Sequence, residues 1–87
     1  MNARQLAITA AILDSLSQLD GGLLAEPLLH AAVQRKTTPA ATLSDFEDRL
    51  RSCEAAKYVA GMDGKFGQRK WAITDAGELA RRELNNG

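Results

Sequence analysis

Apolar residues recur in the first part of the chain at three- and four-residue steps: Leu6, Ile8, Ile12, Leu13, Leu16 and Leu19. That spacing describes a broad apolar stripe and predicts a helix from about Ala3 to Leu19. Asp20-Gly21-Gly22 ends it, and Leu23-Leu24-Ala25, too short for a helix, predicts a small edge strand. Glu26-Pro27 suits a helix start, because proline lacks only an N–H that has no intrahelical partner in the first turn. A second helix is expected from Pro27 to Arg35 or Lys36, burying Leu28, Leu29, Ala32 and Val33.

Thr37-Thr38-Pro39 breaks this pattern, since Pro39 disfavours a helical conformation at Thr38. Thr42 then fits an N-cap, with Asp45 near the positive end of a third helix expected from Leu43 to Ala56. Phe46, Leu50 and Cys53 fall at i, i+4 and i+7 and share its inner face. Tyr58-Val59-Ala60 favours a strand, "GMDGKFG" supplies turn residues, and Arg69 to Thr74 returns to extended structure. Pairing of Met62 near Lys70 would leave a loop from Asp63 to Arg69, whereas a tight Asp63-Gly64 turn is the competing register. Thr74 caps a last helix, Asp75 suits its dipole, and Gly77 lets the helix start approach the hairpin; Leu79, Ala80 and Leu84 are expected to face inward.

Length and charge narrow the picture. With 87 residues, a single domain over 1–87 with one compact core is expected. Hydrophobic residues make up 45% and charged residues 25%, as in globular proteins rather than disordered ones. The 11 basic and 11 acidic residues cancel, so attraction to nucleic acid must come from local clustering. The one cysteine, Cys53, forms no internal disulfide, which fits a reducing cytoplasm. "MNARQLAITAAIL" has a faint likeness to a signal peptide, but its helical spacing runs on through Asp14, so it reads as the first helix. No segment is long enough to span a bilayer, and no membrane partner is expected.

The order of elements, with "TLSDFEDRLRSCEAAKYV", a Gly-rich hairpin and "WAITDAGELARREL", resembles winged helix-turn-helix domains of the bacterial MarR and PadR type. The resemblance runs from Leu6 to Leu84 on short, common motifs. It implies an α+β, mainly α fold: a three-helix core, a β-hairpin wing and a C-terminal helix. In those families a Thr ending the second wing strand caps the final helix, with Gly three residues on, matched by Thr74 and Gly77. Two departures stand out. Lys57 occupies a position where glycine usually relaxes the helix end, and the Thr37–Thr42 turn is longer than in a compact helix-turn-helix. The resemblance also implies dimerisation by the end helices, here Ala3, Ala7, Ala10 and Ala11 with Leu79 and Leu84; monomer and homodimer both remain open.

A DNA-binding winged helix places its third helix in the major groove and its wing on the backbone or minor groove. The outward set of that helix includes Ser44, Asp45, Glu47, Asp48, Arg51 and Ser52, and its carboxylates oppose phosphates unless Arg49 and Arg51 pair with them. Lys65, Arg69 and Lys70 against Asp63 give the wing an excess of two positive charges, and Arg35-Lys36 adds two at the end of helix two. The leading reading is a small transcriptional or accessory regulator bound to double-stranded DNA. In it, Arg35, Lys36, Lys65, Arg69 and Lys70 meet phosphates, and Ser44, Asp48 and Arg51 lie nearest the bases. The alternative is a protein-binding adaptor or inhibitor using Asp45, Asp48 and Phe66. Phe66 either anchors a partner or base, or packs back on Trp71 or Tyr58, the packing reading being preferred. Trp71 and Cys53 read as core, and His30 as boundary packing. No phosphate loop, metal-ligand spacing or cofactor motif is found, so neither catalysis nor a cofactor is expected.

Overall fold

The computed structural model describes residues 1–86. In chain order the elements are α1 (Ala3–Ser17), β1 (Leu24–Ala25), α2 (Glu26–Lys36), α3 (Leu43–Ala55), β2 (Val59–Asp63), β3 (Arg69–Ile73) and α4 (Asp75–Asn86). The strands form one antiparallel sheet in the order β1-β3-β2. Met62 lies opposite Lys70 and Asp63 opposite Arg69, so the longer of the two expected hairpin registers forms. A short helical turn at Lys65–Gly67 closes the tip.

Local chemistry accounts for the helix ends. The side chains of Asn2 and Gln5 cap each other's backbone N–H groups at the start of α1. The Asp45 N–H donates to Thr42 Oγ1 at 3.1 Å, as the sequence predicts. At the end of α3 the Tyr58 N–H reaches the Cys53 carbonyl at 2.9 Å and the Lys57 N–H the Glu54 carbonyl at 3.0 Å. These two bonds make a Schellman closure with Lys57 in the left-handed region, φ 66°. The resemblance places glycine there, so this chain accepts side-chain strain instead of glycine's backbone freedom.

The core joins Ile8, Ile12, Leu13 and Leu16 of α1, Leu29 and Val33 of α2, Phe46, Leu50 and Cys53 of α3, and Val59 and Trp71 of the sheet. Each large side chain removed from water contributes roughly 1.5–3 kcal/mol before entropic costs. Two expected core positions lie elsewhere: Leu28 is 60% exposed and Leu79 57% exposed. On each helix the faces meeting α1 are already filled, by Leu29 and Val33 on α2 and by Ala80 and Leu84 on α4, and a neighbouring leucine is left outside. The helices also end slightly differently from expectation, α1 at Ser17 rather than Leu19 and α3 at Ala55 rather than Ala56.

Thr74 ties the wing to the last helix. Its N–H donates to the Tyr58 carbonyl at 3.0 Å, its Oγ1 donates to the Lys57 carbonyl at 2.6 Å, and the same Oγ1 accepts the Gly77 N–H at 3.0 Å. A Cβ on Gly77 would run into the Tyr58 carbonyl oxygen and lie 2.7 Å from Ile73 Cγ1, so only glycine fits. The helical trio, sheet and closing helix form a winged-helix fold.

Candidate nucleic-acid interface

Because Phe46, Leu50 and Cys53 point into the core, helical geometry turns Ser44, Asp45, Asp48, Arg51 and Ser52 outward, and all five are exposed. Arg51 Nη2 lies 3.7 Å from Glu47 Oε2, one turn away along α3. Arg49 forms no ion pair among the described residues, in contrast to the expected pairing.

Strand alternation decides the fate of the wing charges. Arg69 and Trp71 lie on the face turned toward α3, and Lys70 on the opposite face. The Arg69 guanidinium sits 5.0 Å from the Trp71 ring centroid. It reaches Glu54 Oε2 at 3.6 Å through Nη2 and Asp63 Oδ1 at 3.4 Å through Nε. Trp71 Nε1 donates to Glu26 Oε1 at 3.0 Å. The cleft between α3 and β3 is thus lined by Glu26, Glu47 and Glu54 against Arg51 and Arg69, one carboxylate in excess. Phosphates running along this cleft would meet net negative charge.

The expected phosphate contacts therefore lie in three places. Arg69, partly exposed, is paired with Glu54 and Asp63 at the edge of the cleft. Lys65 and Lys70 border a depression on the outer side of the wing, and Arg35 and Lys36 border a groove between α1 and α2. Glu26 and Glu54 were not anticipated, because their partners Trp71 and Arg69 are distant in sequence. Phe66 is 101% exposed, with φ 62°, and does not pack on Trp71 or Tyr58; the turn between Gly64 and Gln68 holds it clear of the hairpin.

The remaining reactive side chains are structural. Burial pushes the Cys53 thiol up to about 11, against a weaker opposing effect of the Arg49 charge. His30 stacks on Phe46 with ring centroids 4.8 Å apart, and its Nε2 lies 3.1 Å from the Ala41 carbonyl. A carbonyl only accepts, so Nε2 carries the proton in that bond. Among the described residues no three His, Cys, Asp or Glu are grouped to hold a metal, and no helix is long and apolar enough to cross a membrane. Of the alanines placed at an end-helix interface, Ala11 is buried within the domain. Ala3 and Ala7 are exposed along a groove that also includes Leu6 and Leu84.

No family model matches this chain, and no curated protein matches it. Among solved structures, it is similar to a protein named as a candidate transcriptional regulator from Thermoplasma acidophilum. The TM-score is 0.70 at 21% identity, covering 91% of this chain and 75% of that one. At that identity the likeness establishes the winged-helix fold.

Proposed function

We propose that this chain is a small regulator of the MarR and PadR kind that binds duplex DNA through α3 and the tip of its wing. The observation that carries the reading is the open solvent face of α3, from Ser44 to Ser52, beside a wing tip whose Lys65 has no ion-pair partner among the described residues. Lys65 contacts phosphate, and Ser44, Asp48 and Arg51 lie nearest the bases, where a carboxylate accepts from cytosine N4. The name of the structural relative agrees with a regulatory role. With so few cations, binding is weak and falls with salt at a log–log slope of about −1.

Titrating generic duplex DNA into isotopically labelled protein at roughly 50 and 200 mM salt tests this. Salt-sensitive amide shifts on α3 and at Lys65 are expected, and their absence at the lower salt removes the reading.

A second reading is favoured by the exposed carboxylates on the outer face of α3 and by the fully exposed Phe66: a winged helix that binds protein through Asp45, Asp48 and Phe66. Its mark is a partner whose binding is lost in Asp48→Lys while duplex DNA shifts no amide.

A further inference from the structure

The outer face of the wing sheet differs in character from α3. Lys70 lies in the middle of that face, with Ala25 of β1 opposite on one side and Met62 of β2 opposite on the other. Leu23, Met62 and Phe66, all exposed, border one shallow depression together with Lys65 and Lys70. The acid in this lining, Asp63, is engaged by Arg69 at 3.4 Å, and among the described residues neither lysine has an ion-pair partner. The surface therefore combines apolar side chains with cations that lack counter-charge, one cation lying between the apolar positions.

That arrangement discriminates among occupants. At a bilayer, Lys70 would stay at the level of the headgroups, and standing between Leu23 and Met62 it would hold them there too, which opposes their insertion into the apolar layer. Duplex DNA would satisfy the lysines but offer nothing apolar to cover Leu23 and Met62. An extended peptide whose surface-facing positions, every second residue, run apolar, acidic, apolar meets both demands, placing a carboxylate on Lys70 between side chains that cover Leu23 and Met62.

We propose that the outer face of the wing sheet docks an acidic, apolar segment of a partner protein, with Lys70 taking a carboxylate between Leu23 and Met62 and Phe66 closing one end. This surface does not rest on the DNA reading: Leu23 and Met62 belong to no duplex contact, Lys70, expected from the sequence at a phosphate, is here given a carboxylate, and only Lys65 at its edge is shared with that reading.

The test uses the full chain and a fluorescent synthetic peptide repeating Leu-Ser-Glu-Ser, so that leucine and glutamate share one face of an extended strand. Controls are the leucine–lysine counterpart, duplex DNA, and vesicles of phosphatidylcholine and phosphatidylserine. Saturable binding of the glutamate peptide is expected, with amide shifts at Leu23, Met62, Phe66 and Lys70. Lys70→Glu is expected to weaken it about tenfold and Met62→Gln about fivefold. Both positions are exposed, and unchanged amide spectra elsewhere verify the fold of each variant. The proposal is overturned by absent binding, equal affinity for the lysine peptide, indifference to both substitutions, or shifts at the Leu23, Met62 and Lys70 amides with vesicles or DNA alone. Failure of the DNA reading shows separately, on the amides of α3.

Discussion

The two faces of the wing sheet carry cations that are neighbours in sequence and treat them oppositely. On the inner face Arg69 lies over Trp71 and between Glu54 and Asp63, while Trp71 itself is buried and bonded to Glu26. On the outer face Lys70 has no acid partner among the described residues and stands beside exposed Met62. Inner side chains are thus engaged within the fold and outer ones are available to other molecules. A cation count over the wing conceals this difference, because net charge does not report which charges are already satisfied.

The most severe way to break the inner face is at its seat. Gly77→Ala would drive a methyl group into the Tyr58 carbonyl, where backbone rather than a flexible side chain must yield. A loss of about 3 kcal/mol or more is expected in urea denaturation. Gly67→Ala is the paired control at the wing tip: its φ is 76° but the space around it is open. Its cost should be limited to the left-handed backbone, about 1 kcal/mol. Equal losses in the two variants would contradict the close packing assigned to the α4 start.

The buried side of the comparison extends to Cys53 on the inner face of α3, which is 2% exposed. The folded thiol keeps its proton up to about 11, against an ordinary 9.0. Between those values the unfolded chain binds fewer protons than the folded one, so stability falls as pH rises through the window. Wild type should lose about 2 kcal/mol more than Cys53→Ala between roughly pH 8.5 and 11. Parallel stability profiles for the two proteins would show that burial does not control this thiol.

At the corner where α3 enters β2, Lys57 holds a left-handed backbone with its side chain in solvent. Lys57→Gly removes the Cβ conflict and should raise stability by about 1 kcal/mol, seen as a higher urea midpoint at unchanged m-value. A lower midpoint would mean that the added freedom of the unfolded chain outweighs the relief of strain.

What the sequence makes legible follows from the range of the interactions. Phe46, Leu50 and Cys53 could be placed inward because helical period alone relates them. Thr42 and Thr74 could be read as caps because their partners lie three residues away. Leu28 and Leu79 read as inward because each is apolar and next to a stripe; which side of a helix its neighbours leave open depends on tertiary packing. The same limit hid the cleft: Glu26 and Trp71 are 45 residues apart, and no local pattern pairs them. Phe66 reads as packing because aromatics usually bury, and only the conformation of the tip decides otherwise.

The smallest expected effect is the sharpest test of the two faces, because it concerns adjacent residues of like charge. The Arg69 ion pairs are partly exposed, with side chains at 43% for Arg69, 40% for Glu54 and 90% for Asp63, so water and salt screen them. Arg69→Gln should therefore cost less than about 1 kcal/mol, an effect that shrinks as salt is added. It also removes the stacking of the guanidinium on Trp71, a part that salt does not erase. Lys70→Gln breaks no ion pair among the described residues and should leave stability within about 0.5 kcal/mol of wild type at any salt. Urea denaturation of both variants at roughly 50 mM and 1 M salt compares them directly. If Lys70→Gln proves the more destabilising of the two, the outer face is engaged within the fold and the distinction between the faces fails. If Arg69→Gln alone shows a salt-sensitive loss, the inner cation is a structural element and the outer one is left for a partner.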